Sequence, residues 1–178
     1  MQIQVRDTEP QEHEAIFRIE SHPLVRRHQY PWRWGTTYAI WRSHNFGARA
    51  ASSRPTFSTI LLDGSVVGSI SYYRVVTAVG NECHCGWNLD PERWGQGIMP
   101  AALSSWIERQ FAEFDSVAIV ADRFRNNDRC RRVLEKLNFQ QVRVGVFDRF
   151  MTMARTDCFR WIIRHRLTRV SWEAAKNR

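Results

Sequence analysis

Hydrophobic and polar positions change period several times along the chain, and each change marks an element. Near the N-terminus "IQVRD" alternates in the manner of a strand. Thr8 or the Glu9-Pro10 pair then opens a helical stretch that puts Ala15, Ile16 and Ile19 on one side. The next segment, "YPWRWGTTYAIWRSHN", predicts a second helix over Thr36 to His44 and is crowded with Tyr30, Trp32, Trp34, Tyr38 and Trp41. Rings of that size serve chiefly by burying area against a core, the reading preferred here over a wall of a substrate cleft. From Phe57 the period falls to two, and "TFSTILLDGSVVGSISYYRVV" divides at Asp63-Gly64, a strong hairpin signal, into two antiparallel strands. A third strand, "ECHCGWNL", ends at Asp90-Pro91.

A helix is expected from Gly97, where Met99, Ala102, Leu103, Trp106, Ile107, Phe111 and Phe114 recur at i, i+3, i+4 and i+7 as one apolar stripe. Pro100 is tolerated because its missing N–H falls in the first turn. "SVAIVA", Ser116 to Ala121, is a continuous apolar run and predicts a strand covered on both faces. In "NNDRCRRVLEKLNF", polar residues precede a helix with Val133, Leu134 and Leu137 on one face, and Asn138 suits the left-handed position that ends it. "QQVRVGVFDRFMTMA" closes the sheet as one or two strands, and past Thr156 the residues Phe159, Ile162, Ile163, Leu167 and Val170 form a stripe that predicts a terminal helix. The order β, α, α, β, β, β, α, β, α, β describes an α+β class, a mixed, mostly antiparallel sheet sandwiched by helices.

The 178 residues suffice for one well-covered core and are too few for two ordinary domains. No apolar run approaches the roughly 18 residues of a membrane span, and "MQIQVRDTEP" lacks the basic start and apolar middle of a secretion signal, so a soluble cytoplasmic protein is expected. The net charge of +8 favours an anionic ligand, an acidic protein or a nucleic acid. Much of that excess lies between Arg143 and Arg178, with nine Arg or Lys against three Asp or Glu. The preferred reading of this tail is a helix packed on the sheet or on a second subunit of a homodimer; contact with RNA, ribosome or a membrane surface is the alternative. Cys83, Cys85, Cys130 and Cys158 are too sparse for a disulfide scaffold. In "CHC", period-2 geometry sends Cys83 and Cys85 to one strand face and His84 to the other, and no second ligand pair follows, so no metal is expected.

The stretch with the most chemistry in it is "WGQGIM", Trp94 to Met99, which runs into the apolar-periodic helix with two glycines and no acid. Glycines let backbone approach a ligand, and the first N–H groups of a helix lack helical partners and carry the positive end of its dipole. That is an anion site built from main chain. "GWNLDPERWGQGIMPAAL", with its [QR]-x-x-G-x-[GA] type turn, and "NNDRCRRVLEKLNF", with its N-x-x-S-x-R-x-L-E-K-x-G-F type helix, resemble the GNAT acetyltransferase superfamily. They resemble in particular the branch that includes the ribosomal-protein N-terminal acetyltransferases of the RimJ/RimL kind. Within those motifs Trp94 stands for Gln or Arg, Met99 for a small residue, Asn138 for glycine and Cys130 for serine. The resemblance spans roughly residues 2 to 154 and implies an acetyltransferase domain over 1–155; the tail past it, 156–178, is expected to be a basic helical extension packed on the same domain.

The resemblance implies transfer of acetyl from acetyl-CoA, as cosubstrate, directly to a primary amine, either a protein N-terminus or a small amine. A CoA-binding sensor without turnover and an RNA- or ribosome-binding protein are the rivals. The turn Trp94, Gly95, Gln96, Gly97, Ile98 and Met99 would cradle the pyrophosphate. Asn88, Leu89 and Asp90 would pair with the pantetheine arm like an added strand. Asn127 would lie beside the pantetheine and Cys130 near the sulfur, as acid or contact; a buried hydrophobe or a covalent relay are its other readings. An amine acceptor also needs a base, for which Glu82 is preferred over His84 on the same strand face and over Asp148.

Overall fold

The alternating segments are strands in the computed structural model, which describes residues 1–29, 37–46, 56–143 and 162–176. The strands are β1 (Ile3–Asp7), β2 (Thr56–Leu62), β3 (Ser65–Thr77), β4 (Gly80–Leu89), β5 (Ser116–Phe124), β6 (Gln140–Val142) and β7 (Ile162–Thr168). The helices are α1 (His13–Ser21), α2 (Pro23–Arg26), α3 (Tyr38–Phe46), α4 (Ile98–Glu113), α5 (Asp128–Lys136) and α6 (Arg169–Lys176). Among the described residues the strands form one mixed sheet in the order β1-β2-β3-β4-β5-β7-β6, with helices flanking it, as the α+β reading expects. Two compact units can be distinguished, Met1–Tyr73 with Trp87–Ile98, and Arg74–Gly86 with Met99–Arg178.

In the first unit β1 and β2 pair antiparallel from Ile3↔Leu62 to Asp7↔Ser58, and β2 continues antiparallel onto β3. The β2–β3 turn sits at Asp63 and Gly64, whose φ values of 49° and 82° satisfy the left-handed demand of a tight hairpin. Ile16 of α1 and Trp41 of α3 are fully buried with Ile60 and Ile70 of the sheet. Trp41 packs 5.5 Å from Phe17, 5.4 Å from Phe46 and 6.5 Å from Phe57, ring centre to ring centre, so this aromatic is core. Tyr30, Trp32 and Trp34 lie outside the described residues. Glu12, also buried, is held by Arg6 at 2.7 Å and by the Thr59 hydroxyl at 2.8 Å.

In the second unit β4 and β5 run parallel from Asn81↔Ser116 to Cys85↔Ala121. The stripe of α4 is buried at Met99, Ala102, Leu103, Trp106, Ile107 and Phe111. At the end of α5, Asn138 takes φ 60° and Phe139 N–H reaches back to Leu134 O at 3.0 Å, the helix stop that an asparagine permits in place of glycine. The tail departs from expectation. Residues Ile162–Thr168, read as part of a terminal helix, are the strand β7, antiparallel to β5 from Ala118↔Thr168 to Phe124↔Ile162 and to β6 on its other side. Period two fits these residues as well as a helical period does: His165 and Leu167 are buried while Arg164 and Arg166 face the other way. Helix begins only at Arg169, with Trp172 buried and Val170 exposed, so the supposed stripe does not exist as a unit. The extension therefore supplies an interior strand of the sheet, Ile162–Thr168, followed by the helix Arg169–Lys176, where one continuous helix packed on the domain is expected. Among the described residues its cations are engaged within the chain: Arg164 with Asp122, Arg166 with Glu82, Arg169 with the Ser116 carbonyl, and Lys176 with Glu108.

Candidate functional site

The glycine turn is assembled by short-range bonds. Asp90 caps the 3-10 turn Pro91–Arg93 by accepting from Glu92 N–H at 3.0 Å, and the Trp94 indole N–H returns to the Leu89 carbonyl at 2.9 Å. The Gln96 amide donates to the Glu92 carbonyl at 2.9 Å. These contacts commit the side chains of Trp94 and Gln96 to shaping the loop. Gly95 and Gly97 then adopt φ of 79° and 77°, and a Cβ built at either would meet nothing within 4 Å. Crowding therefore does not explain the glycines; the left-handed backbone does, and it leaves open space over the main chain. Helix α4 starts one residue later than expected, at Ile98, with no acid in its first turn. Ile98 and Met99 are buried, so only their main-chain N–H groups are offered to a ligand.

The strand leading into this turn is anchored tightly. Asp90 N–H donates to the Val67 carbonyl at 2.8 Å, and a Cβ at Gly68 would stand 2.4 Å from the Asn88 carbonyl oxygen. Leu89 is buried. The Asn88 side chain has both ends occupied: Nδ2 donates to Glu20 Oε1 at 3.1 Å, and Oδ1 accepts from Gln29 at 2.7 Å. Any role of Asn88 toward a ligand therefore falls to its backbone.

Glu20 escaped the reading of the sequence. Its carboxylate accepts from the Trp41 indole at 2.9 Å, from Ser69 at 3.3 Å and from Asn88. The available signal was a carboxylate four residues after Ile16 on the buried side of α1. Burial pushes its pKa up to about 6, against the smaller opposing effect of the three hydrogen bonds. A carboxyl that holds its proton more tightly when folded contributes stability that is complete below about pH 4.5 and is lost as pH rises through about 6. Urea denaturation between pH 4 and 7 should therefore contain a component of about 2 kcal/mol that declines with rising pH. In Glu20→Gln that component should be missing; a stability difference between the two proteins that is flat across the window would contradict it.

In the second unit the expected split of "CHC" is realised. Cys83 meets Gln110 of α4 at 3.8 Å on one face, while His84 and Glu82 share the other, Nε2 to Oε2 at 3.6 Å. Glu82, the preferred base, has its Oε1 taken by Arg166 at 2.9 and 3.0 Å. His84 is pushed below the usual imidazole range by burial first and then by Arg164, so its ring is neutral at physiological pH and able to accept a proton. Asp148 is outside the described residues, as is Cys158.

Asn127 caps α5, its Oδ1 accepting from Cys130 N–H at 3.1 Å. Burial pushes the Cys130 thiol up to about 12, with Arg123 opposing it, and pushes Cys83 up to about 12 and Cys85 well above the ordinary thiol range. The covalent relay needs a thiolate, and these thiols are neutral. Proton donation from a thiol at about 12 to one near 8.5 would run uphill by about 5 kcal/mol, so Cys130 is suited to donating a hydrogen bond and not its proton. Among the described residues no group of three His, Cys, Asp or Glu is arranged to hold a metal, and no helix is long and apolar enough to cross a membrane.

Comparison with known proteins bears on these features together. Residues 2–140 match the family model described as the acetyltransferase (GNAT) domain. No curated protein matches the sequence significantly. Among solved structures, spermidine N-acetyltransferase from Vibrio cholerae, in complex with CoA and spermine, superposes with a TM-score of 0.77 at 9% identity, covering 97% of this chain and 98% of that one. Mycobacterium smegmatis RimJ in complex with CoA-disulfide gives 0.74 at 20% identity over 94% and 82% of the two chains. An aminoglycoside acetyltransferase in complex with coenzyme A gives 0.73 at 14% identity over 98% and 99%. These likenesses share the fold, and the model match covers most of the sequence, including the glycine turn and the Asn127 helix. The chain belongs to the GNAT acetyltransferase family.

Proposed function

We propose that the protein transfers acetyl from acetyl-CoA directly to a primary amine, with a protein or peptide N-terminus as the acceptor, as in the RimJ/RimL branch, and that it works in the cytoplasm. The observation that carries this reading is the Trp94–Met99 turn: two left-handed glycines with open space above them, leading into a helix start without an acid. The N–H groups of Gly95 through Met99 hold the cosubstrate's pyrophosphate, where two negative charges meet the helix dipole. The backbone of Asn88, Leu89 and Asp90 pairs with the pantetheine arm as an added strand. For the second unit, the family resemblance assigns Asn127 to the pantetheine and Cys130, a hydrogen-bond donor, to the sulfur.

The neutral amine attacks the thioester carbon, a main-chain N–H of β4 stabilises the oxyanion, and the C–S bond breaks to release CoA as its thiolate, which takes up the proton that the new amide nitrogen sheds. His84 takes the proton that the acceptor's ammonium gives up before attack, and Glu82, fixed by Arg166, sits behind it to stabilise the imidazolium. An α-amine has a pKa near 8, so it needs far less help in losing that proton than a lysine-like amine near 10. The net charge of +8 also disfavours polycations and agrees with an acceptor carrying one charge.

The test is thiol release from acetyl-CoA, scored across peptides, free amino acids, spermidine and aminoglycosides. Peptides with free N-termini should turn over best and N-blocked peptides not at all. CoA binding without amine-dependent thiol release from any member would instead establish a sensor; strong, salt-sensitive RNA binding with indifference to CoA would establish the nucleic-acid reading.

A further inference from the structure

The tail, the basic stretch that the sequence offers to a polyanion, has its cations paired with acids of other elements: Arg164 with Asp122, Arg166 with Glu82 and Lys176 with Glu108. A second basic stretch is disposed differently. Between Arg123 and Arg143 seven Arg or Lys stand against two Asp or Glu. Both acids lie on α5, and one residue, Arg131, meets the two of them, Asp128 at 3.1 Å and Glu135 at 2.8 Å. Arg125, just before the helix, and Arg129, Arg132 and Lys136 along it are exposed. At about 100° per residue those three helical cations fall within about 60° of one another. Leu134, fully buried, lies about 170° from the centre of their stripe, and Cys130 about 130°. The stripe therefore points away from the packed side of α5. Its span, at a rise of about 1.5 Å per residue, is about 10 Å.

We propose that the outer face of α5, with Arg129, Arg132 and Lys136 in line and Arg125 at its head, is a docking surface for the phosphate backbone of a double-helical nucleic acid, bound without regard to sequence. Charge and spacing agree: along about 10 Å one strand of a duplex presents about three phosphates, against three cations on the helix. Two of the three are arginines, whose forked guanidinium can bond two phosphate oxygens at once. A single strand would be held by aromatic rings stacked on its bases, and the α5 sequence DRCRRVLEK contains none. A lipid surface would take up an apolar helix face, but Leu134 and Leu137 of α5 are buried in the fold. An acidic protein lacks the regular charge interval that a duplex repeats. This surface is independent of acetyl transfer, since it lies on the side of α5 away from Cys130.

Fluorescence anisotropy of the full chain with labelled 20-base-pair DNA and RNA duplexes of unrelated sequence tests this. Both should bind in 50 mM salt, and log affinity should fall against log salt with a slope of about −3, roughly one counterion for each cation of the stripe. Arg132→Ala/Lys136→Ala should weaken duplex binding at least tenfold and flatten the slope by about 2. Alanine at these exposed helical positions preserves the helix, so thiol release and CoA affinity should stay within twofold of the wild type. Arg18→Ala/Arg42→Ala removes the same charge from exposed positions of the first unit and should leave duplex binding within twofold. An equal loss in the two double variants would reduce the effect to net charge and overturn the assignment. So would the absence of duplex binding in 50 mM salt, or tighter binding of poly-glutamate or of phosphatidylserine vesicles than of the duplex. Displacement of the duplex by saturating CoA would give the stripe to the cosubstrate's own phosphates and overturn it as well. Duplex binding through α5 without any thiol release would remove the transferase reading alone.

Discussion

Replacing Gly97 by glutamate is expected to abolish CoA binding while the protein remains folded. Gly97 has φ of 77° and open space where a side chain would project, so glutamate fits sterically but suffers twice. A side chain in the left-handed region costs about 1–2 kcal/mol, and its carboxylate would stand in the helix-dipole site meant for phosphate. Where the free turn relaxes that strain and the ligand must restore the left-handed backbone, the strain adds to a repulsion of similar size, and the sum of about 3 kcal/mol corresponds to a loss of affinity on the order of 100-fold. Gly97→Ala separates the two contributions, since it keeps the backbone strain and adds no charge; its affinity should fall by no more than about tenfold. Titration of each variant with CoA, alongside circular dichroism to confirm folding, measures both. Undiminished affinity in the glutamate variant would show that the pyrophosphate binds away from this turn.

Gly68→Ala should have the largest effect on stability. Its Cβ would be placed 2.4 Å from the Asn88 carbonyl oxygen and 3.2 Å from a Leu89 methyl, and the nearer of these atoms is backbone, which cannot swing aside. Strands β3 and β4 must separate locally to admit one methyl group, which endangers the Asp90 to Val67 hydrogen bond beside it. Overpacking of this kind costs about 3 kcal/mol, or roughly 10 °C in Tm for a chain of this length. Thermal unfolding of the variant checks the figure. Because the displaced carbonyl belongs to the strand end proposed to carry the pantetheine arm, CoA affinity should fall with the stability. A variant as stable as the wild type would mean that the strands yield more easily than their close approach implies.

Both predictions concern glycines, and the sequence announces only one of them. Gly97 is conspicuous because its requirement is local: a tight turn before a helix with an apolar stripe. Gly68 sits in an ordinary alternating strand, and its need for a bare Cα arises from a carbonyl 20 residues further on. The same contrast separates the candidate bases. That Glu82 and His84 share a face follows from period two. That Arg166 occupies the Glu82 carboxylate depends on β7 lying beside β5, in a stretch whose apolar spacing fits a helical period as well.

What the sequence by itself determined is whatever a short window constrains: the Asp63-Gly64 hairpin, the stripe of α4, the opposite faces of Cys83 and His84, the left-handed Asn138, and the glycine turn with its family motifs. Each follows from backbone dihedral limits or from the fixed periods of helix and strand, which act between residues no more than a few positions apart. Tertiary structure alone decided that residues 162–168 complete the sheet, that Glu82 meets Arg166, and that Glu20 is buried among neutral donors from α3, β3 and β4. Those outcomes depend on strand register and burial, which bring together residues far apart in the chain, and no local pattern encodes which distant partner will arrive.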